Sequence, residues 1–311
     1  MLKTIRLLAA GLLVTSTVGA LGVAGPTATE QASAACVTAP TWNPTTTRFG
    51  ISLSGSSGSS VTDDLAAEER RFGTRVNAVR TWDSTIPTGD VWAKRTAGFG
   101  SRYVVTSIRA KPQDVIAGRY DSQLRSYFSS APTTMPIFWN YFHEPEDEVK
   151  AGQFTAAQFV QAHKRIADIA GSYCRSNLYP TLVLMGWTAM PASKLDWTDY
   201  YPGSGYVSVL GWDPYNGAQG DATSYRSPAT LFDAVVGKSR AAGKPFGIAE
   251  TGTARIPGDS SGTGRAAWLK QVESYMEANR AVFVTYFQST NNGDFELRDA
   301  PGVAAWKAAM Q

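Results

Sequence analysis

Two apolar stretches of this chain each end on a carboxylate: PIFWNYFHEP at residues 136–145 and KPFGIAETG at residues 244–252. The two acids are Glu144 and Glu250. An apolar, aromatic run of this length predicts a buried β-strand. Burying a carboxylate beside such a strand costs several kcal/mol unless the acid is paired. The two stretches therefore predict a strand-based fold that holds a functional acid at each of two strand ends.

Working outward from these stretches, strand-like runs recur along the whole chain. We predict strands at Arg48–Leu53, Val76–Thr81, Arg102–Ile108, Pro136–His143, Leu178–Gly186, Tyr206–Trp212, Pro245–Ala249 and Ala281–Phe287. Helical periodicity lies between most of them and is less clear after the second and fifth. The helices are predicted at Thr62–Phe72, Pro112–Ser129, Thr155–Cys174, Pro228–Ala242, Gly264–Asn279 and Val303–Met310.

Eight strands that alternate with helices over about 260 residues predict an α/β fold, specifically a single (β/α)8 TIM barrel. A doubly wound open sheet is the alternative, and it needs a glycine-rich phosphate loop after an early strand. The nearest candidate, Ser54–Ser59, lacks the required glycine spacing and lysine. No linker divides the barrel region, which we place at residues 48–311 after an irregular lead-in at residues 35–47.

The first 34 residues are typical of a secretory signal peptide. Lys3 and Arg6 precede the apolar stretch Leu7–Val18, which is too short for a comfortable membrane span, and small residues follow at 32–34. A retained membrane anchor is the alternative. No later segment is apolar enough to cross a bilayer. We therefore expect a secreted, extracellular protein that does not contact the membrane once the signal is removed.

The chain has two cysteines, Cys36 and Cys174, and two histidines. In an exported protein this even count predicts a disulfide, which contributes about 2–4 kcal/mol. Two free thiols, or a lipid on Cys36, are the alternatives. The usual Cys/His zinc sites need more ligands of these types, so we expect no metal and no cofactor. The net charge of +3 without a Lys/Arg cluster argues against a nucleic-acid partner.

Barrel enzymes build their sites where the strands end. Two carboxyls that face each other there can cleave a glycosidic bond, because one donates a proton while the other stays ionised. We therefore expect a monomer that acts on a polysaccharide or oligosaccharide. Polar and aromatic side chains near the predicted strand ends are the candidates for substrate binding: Trp82, Asn140, Trp187, Trp212, Asp213, Tyr286 and Gln288.

The strand-end motifs resemble those of clan A retaining glycoside hydrolases, which carry an acid/base Glu after strand four and a nucleophilic Glu after strand seven. His143-Glu144 is similar to glycoside hydrolase family 26, a family of β-mannanases and some β-glucanases and xylanases. Trp212-Asp213-Pro214-Tyr215 resembles the end of strand six in that family. The third predicted strand ends on Thr106-Ser107-Ile108-Arg109 instead of the His/Trp-rich segment usual in the mannanases, so the resemblance does not single out mannan.

The resemblance implies a retaining endo-β-glycosidase acting by double displacement on mannan-, glucan- or xylan-type chains. Glu144 would be the acid/base and Glu250 the nucleophile. His143 would orient the site, Tyr215 would hold Glu250, and Arg80 would keep it ionised. A barrel that binds glycans without cleaving them is the alternative function.

Individual residues also have plainer interpretations. Glu144 and Glu250 could be structural acids, Asp213 could form a turn before Pro214, and Arg80 could pair with another acid. His163 lies in a predicted helix and is interpreted as a solvent-facing residue. A serine-protease-like run, Gly258–Gly262, lacks the histidine base that a triad needs.

Overall fold

Eight parallel strands close into a barrel in the computed structural model, which describes residues 36, 39–43, 46–53 and 60–311. Each strand pairs with its neighbours in sequence, and the last pairs with the first. The predicted single (β/α)8 barrel is therefore confirmed. The strands are β1 (Arg48–Leu53), β2 (Ala78–Trp82), β3 (Tyr103–Ile108), β4 (Ile137–Tyr141), β5 (Leu178–Met185), β6 (Val209–Asp213), β7 (Phe246–Thr251) and β8 (Phe283–Gln288).

Helices surround the barrel at α1 (Val61–Phe72), α2 (Asp90–Phe99), α3 (Pro112–Ile116), α4 (Asp121–Ser129), α5 (Glu146–Lys150), α6 (Ala156–Gly171), α7 (Pro228–Ala241), α8 (Thr263–Asn279) and α9 (Ala300–Ala309). The helix predicted over Pro112–Ser129 is two helices, because Gly118 takes a left-handed conformation (φ 77°) between them. Short 3-10 turns, the first at Gly186–Ala189, take the place of a helix directly after β5.

The strand alternation sorts side chains into two groups. One apolar cluster fills the barrel interior with Ala78, Val105, Phe138, Val183, Val209, Ala249, Val282 and Phe283. A second, larger cluster lies between the strands and the helices. Trp42, from the segment before β1, packs edge-on against Tyr103, Phe138 and Tyr179 near the starts of β3, β4 and β5. The amino-terminal end of the barrel is therefore closed by aromatic rings.

A disulfide joins Cys36 to Cys174, with the two Cα atoms 5.1 Å apart. The predicted bridge is thus present, and it ties the start of the described chain to the loop after α6. The predicted signal peptide at residues 1–34 lies outside the described residues. Within the described part of the chain, no helix is both long and apolar enough to cross a membrane.

The interpretation of His163 as a solvent-facing residue is wrong. Its side chain is fully buried on α6, stacks on Trp139 at 5.6 Å between ring centroids, and bonds through Nε2 to the carbonyl of Tyr206 at 3.2 Å. Burial lowers the pKa of His163 to about 4, so the ring is neutral at pH 7. The polar residues near His163 in the sequence suggested a solvent-facing position, but His163 lies on the face of α6 that packs against the barrel.

Candidate active site

Glu144 lies three residues beyond the end of β4, in a turn whose backbone is held from both sides. Phe142 and Glu144 both have φ of 51°, a region that side-chain-bearing residues rarely adopt. The Phe142 N–H donates to the carbonyl of Ile108 on β3, and the Glu144 N–H donates to the carbonyl of Val183 on β5. Such a conformation persists where surrounding bonds impose it. The neighbouring strands thus fix where the Glu144 side chain starts.

Glu250 lies within β7, where the strand is irregular. Ala249 packs in the interior cluster and Ile248 in the outer one, so simple alternation would direct position 250 away from the interior. The pairing of β7 with β8 shifts register between Ile248 and Thr251. A bulge of this kind redirects a side chain. Glu250 is 7% exposed and contacts groups from β2 and the loop after β6.

Two partners hold the Glu250 carboxylate. The phenol of Tyr215 donates a hydrogen bond to Oε2 at 2.7 Å. The guanidinium of Arg80, fully buried inside the barrel, lies 3.5 Å from Oε1. Arg80 also donates from Nη1 to the carbonyl of Thr81 at 2.6 Å, which anchors its own position. The predicted neighbours of Glu250 are therefore both in contact with it.

Glu144 and Glu250 line one cavity of about 490 Å³ at the carboxyl ends of the strands. This volume is within the range of small-molecule and saccharide sites. Asp213 and Tyr215 from the end of β6 line the same cavity, as does Trp187 from the turn after β5. The two predicted acids thus line the same cavity as three other predicted site residues, Asp213, Tyr215 and Trp187.

The electrostatics of the two acids differ. Burial, followed by the negative charges of Glu250 and Glu146, raises the pKa of Glu144 well above its usual range. Burial also raises the pKa of Glu250, but Arg80 and the hydrogen bond from Tyr215 act in the opposite direction. Glu144 has the stronger tendency to keep a proton, and Glu250 is the acid with a cation and a donor beside it. This difference is the one that a proton donor and an ionised nucleophile require.

Two further polar residues lie near the two acids: Asp213, which lines the cavity, and His143, which precedes Glu144 and does not line it. Burial, with the positive charges of Arg80 and Arg109, lowers the pKa of His143 well below its usual value, so the imidazole is neutral. Asp213 is 4% exposed, and neither of its carboxyl oxygens has a hydrogen-bond partner among the described residues. Burial and the charges of Glu250 and Glu144 raise the pKa of Asp213 well above its usual range. Asp213 is thus a buried carboxyl with free bonding capacity at the cavity wall.

Two of the predicted tryptophans stand at this face. The half-buried Trp82 lies beside His143, with ring centroids 6.3 Å apart, and beside Phe287 at 6.5 Å. The guanidinium of Arg80 lies 5.7 Å from the centre of the Trp82 ring. Trp187 lines the cavity and is 55% exposed. Trp187 is therefore open to a ligand in the cavity, whereas Trp82 neighbours the cavity-lining Phe287 without lining the cavity itself.

Four other predicted binding residues are buried away from the cavity. Asn140 points into the barrel, where it donates to Ser107 and accepts from the Val183 N–H. Trp212 donates to Ser239 on α7. The hydroxyl of Tyr286 donates to backbone carbonyls of Thr253 and Phe295, and Gln288 pairs with the backbone of Leu297.

The physical reason is strand parity. Trp212, Tyr286 and Gln288 lie at positions whose side chains face the helices or the loops outside the barrel, while their sequence neighbours face inward. Asn140 faces inward, but one layer below the rim, and its polar atoms are already bonded there. None of these four is among the residues that line the cavity, so we assign them packing and loop-anchoring roles.

Sequence reasoning missed several residues of the site. Phe287 lines the cavity with Phe295, and its inward parity with Phe283 on β8 was a usable signal. Arg226 and Asn292 come from long loops and had no local signal. Glu146, at the start of α5, is a buried acid that the sequence presented only as one of three consecutive charges. No grouping of His, Cys, Asp and Glu suited to a metal ion occurs within the residues that the structure covers.

Comparison with known proteins adds information at the level of the fold. The sequence matches no protein-family model. It also matches no curated protein sequence. Solved structures do match, although with sequence identities of only 12–15% for those described next.

The chain superposes on the catalytic domain of a GH26 endo-β-1,4-mannanase from Bacillus sp. JAMB-750 with a TM-score of 0.59 and 13% identity, over 85% of each chain. A glucosidase from Croceicoccus marinus gives a TM-score of 0.59 and 15% identity, over 88% of this chain and 69% of the other. GH26C from Muricauda sp. MAR_2010_75 gives 0.57 and 12%, over 85% and 84%. The predicted resemblance to family 26 is therefore confirmed for the fold, which is the barrel of these proteins.

Proposed function

We propose that this protein is a secreted, retaining glycoside hydrolase that cleaves β-linked polysaccharide by double displacement. One observation carries the proposal: Glu144 and Glu250 line the same cavity at the carboxyl ends of the strands, and only Glu250 has a cation and a phenol donor on its carboxylate. The fold is one on which this chemistry is done, and the strand-end acids are where barrel enzymes carry their catalytic groups.

In the first step, the protonated carboxyl of Glu144 gives its proton to the glycosidic oxygen. A carboxylate oxygen of Glu250 attacks the anomeric carbon from the other side. The bond between the anomeric carbon and the leaving oxygen breaks, and a covalent glycosyl ester forms on Glu250. Arg80 and Tyr215 keep Glu250 ionised before attack, and they stay close to the ester afterwards.

In the second step, water replaces the departed sugar. Glu144, now ionised, removes a proton from this water as the oxygen attacks the anomeric carbon. The ester bond breaks, Glu250 regains its negative charge, and the sugar leaves with the configuration it started with. Glu144 is again protonated, so the cycle closes without any other reagent than water. The neutral His143 next to Glu144 places no positive charge there, and such a charge would lower the pKa of Glu144.

For the substrate, we propose a β-linked polysaccharide of the mannan, glucan or xylan type, cut internally. The structural neighbours include endo-β-1,4-mannanases and a glucosidase. The exposed Trp187 and the half-buried Trp82 offer flat apolar faces that suit pyranose rings. The export signal predicted at residues 1–34 and the disulfide both fit a protein that meets such polymers outside the cell.

The test is incubation of the purified protein with soluble mannan, mixed-linkage β-glucan and xylan, followed by product analysis. We expect shortened oligosaccharides from at least one polymer, and proton NMR of the first product should show the β anomer before mutarotation. An α anomer would exclude the double displacement. Glu250→Ala should lower kcat by about 10⁴-fold or more, as for other covalent nucleophiles.

The variant Glu144→Ala separates the two acids. It should still form the covalent ester with an activated aryl glycoside, whose leaving group needs no proton, and added azide should restore product release as a glycosyl azide. If the wild type binds a polymer but forms no product from it, the protein is a glycan-binding barrel. If Glu250→Ala retains wild-type turnover, the nucleophile assignment is wrong.

A further inference from the structure

Trp187 is a large apolar side chain that is mostly exposed to solvent. With 55% of its area exposed, it is one of two large apolar side chains classed as exposed in the described part of the chain, and it is the one that lines the cavity. Its neighbours Gly186, Thr188 and Ala189 are all buried. An aromatic ring that lines a cavity beside two carboxyls is positioned to contact a ligand bound in that cavity.

Glu146, at the start of α5, accepts hydrogen bonds from that turn. Its carboxylate oxygen Oε1 accepts two hydrogen bonds, from the Met185 N–H at 2.9 Å and from the Thr188 hydroxyl at 2.6 Å. These two donors flank Gly186 and Trp187. Glu146 is 4% exposed, so the bonds are shielded from water and are stronger than surface bonds of the same geometry. One buried oxygen therefore clamps both ends of the segment that presents Trp187.

Pro214 also lies close against the turn. A Cβ atom placed on Gly186 would meet the Cα of Pro214 at 2.6 Å and its nitrogen at 2.9 Å. Pro214 follows Asp213, at the end of β6. Glu146 and Pro214 thus both restrain the backbone of the turn from which the indole of Trp187 projects.

Glu146 is also two residues from Glu144. The same short segment that carries the proposed proton donor therefore carries the group that locates the aromatic ring. Other acids near Glu146 are Glu144 and Asp147, and burial is the main reason that its pKa rises to about 7. Its second oxygen, Oε2, has no hydrogen-bond partner in residues 60–311. A proton on Oε2 leaves the Oε1 clamp intact.

We propose that Trp187 is a sugar-stacking platform and that Glu146 is its positioning residue, setting the platform at a fixed place relative to Glu144. The platform takes the apolar face of a pyranose ring in a β-linked chain. This inference rests on the proposed function for its ligand, but the clamp on the turn does not depend on turnover.

The experiment compares Trp187→Ala, Glu146→Ala, Glu146→Gln and the double variant Trp187→Ala/Glu146→Ala. Gln is the matched control, because its amide oxygen can accept the same two bonds as Oε1. We measure KM and kcat on the polymer that the wild type cleaves. We also measure binding of mannose, glucose and xylose oligosaccharides by calorimetry. Amide hydrogen exchange of residues 185–189 reports the clamp without any ligand.

Trp187→Ala should raise KM and the dissociation constant by about tenfold, the scale of one lost aromatic contact, with kcat changed less than twofold. Glu146→Ala should reproduce that rise and speed exchange in the turn, whereas Glu146→Gln should keep wild-type values in both. The double variant should be no worse than Trp187→Ala alone. A general loss of packing would instead lower kcat and fail to be rescued by Gln.

The outcomes separate the two proposals. Turnover with a KM that Trp187→Ala leaves unchanged would overturn the platform while keeping the hydrolase. Oligosaccharide binding that depends on Trp187 and Glu146, without any turnover, would keep the platform and overturn the hydrolase. If the increases in KM from the two single substitutions multiply in the double variant, the clamp is overturned. Unchanged amide hydrogen exchange of residues 185–189 in Glu146→Ala would also overturn it. A wild type that neither binds nor cleaves any of the glycans would overturn both.

Discussion

The two ends of the barrel use their side chains differently. At the amino-terminal end, Trp42 lies edge-on to Tyr103, Phe138 and Tyr179, with ring centroids 4.9–5.2 Å apart. At the carboxyl-terminal end, a fully buried Arg80 faces a carboxylate. Edge-to-face rings are each worth about 0.5–1.5 kcal/mol beyond their buried area. Buried charges near one another cost free energy unless they are fully compensated.

Incomplete compensation is what distinguishes the carboxyl-terminal end. Arg80 has two guanidinium nitrogens, and Asp213 two oxygens, without a hydrogen-bond partner within the described ranges. The contrast teaches that one end of this barrel is packed for stability, whereas the other leaves buried polar groups unpaired at a stability cost, as the proposed function requires. Substitutions at the two ends should therefore separate activity from stability.

The largest effect is expected for Arg80→Met. Removing the cation that opposes burial raises the pKa of Glu250 further, so the carboxyl keeps its proton at neutral pH and cannot attack. Loss of one charge-stabilising group at a reacting centre typically costs about 10²–10³-fold in rate, so kcat/KM at neutral pH should fall by about that factor and recover partly as pH rises. Arg80→Lys, which keeps the charge, should retain more activity. Equal losses in both variants at every pH would contradict this role.

The next effect tests the other end of the barrel. Trp42→Ala removes the ring that closes the aromatic cluster and should lower the free energy of unfolding by about 3 kcal/mol. Chemical denaturation measures this change. At temperatures where the variant is folded, its kcat should equal that of the wild type. Trp187→Ala is the matched control, since loss of an exposed indole should leave the unfolding midpoint unchanged. A drop in kcat for Trp42→Ala would mean that the two ends are coupled.

A third prediction concerns the pH dependence of stability. Burial raises the pKa of Glu146 from 4.5 to about 7, so the folded state prefers the neutral carboxyl. The stability from that preference is fully present below pH 4.5 and is lost as pH rises through 7. It amounts to on the order of 3 kcal/mol. In Glu146→Gln this contribution should not vary, so the variant should gain stability over the wild type between pH 5 and 8. Parallel curves of unfolding free energy against pH for the two proteins would show that burial does not raise the pKa of Glu146.

The smallest effect is expected for Tyr215→Phe. The phenol hydrogen bond holds the pKa of Glu250 down, so its loss should move the acidic limb of the pH–activity profile to higher pH. A hydrogen bond to a charged group is worth about 1.5–3 kcal/mol, which corresponds to a loss of activity of about tenfold or more below the optimum. Tyr286→Phe is the matched control, because that hydroxyl donates to the backbone carbonyls of Thr253 and Phe295 and Tyr286 does not line the cavity. A profile with an unmoved acidic limb would remove Tyr215 from this role.

Much of the fold was readable from local patterns. The eight predicted strands all exist, with ends displaced by a few residues, and five of the six predicted helices are single helices at or near their predicted places. Hydrophobic runs and helical periodicity report the neighbours of each residue within one turn or one strand. The helices α2 and α5 were not predicted, because the apolar pattern in each is short and interrupted, and no helix was predicted after β5, where the structure has 3-10 turns.

Site residues could be predicted from the sequence only where their type is unusual for their position. An acid after an apolar strand is conspicuous, so Glu144 and Glu250 could be singled out from the sequence, whereas Tyr215 and Arg80 were expected beside Glu250 from the family resemblance. Trp212, Tyr286 and Gln288 were misjudged because a residue near a strand end faces either the cavity or the helices according to parity. Counting inward from Phe283 would have favoured Phe287 over Tyr286.

Residue order alone predicts the barrel and the two strand-end acids, and it favours a Cys36–Cys174 bridge over free thiols or a lipid, because each depends on local hydrophobic patterning or on residue type. The tertiary structure alone decides which acid keeps its proton and where the tryptophans point. Those properties arise from groups distant in sequence: Arg80 beside Glu250, and Glu146 beneath the turn of Trp187. The strength of an electrostatic or hydrogen-bonding interaction depends on distance in space and on burial, and neither is written in the order of residues along the chain.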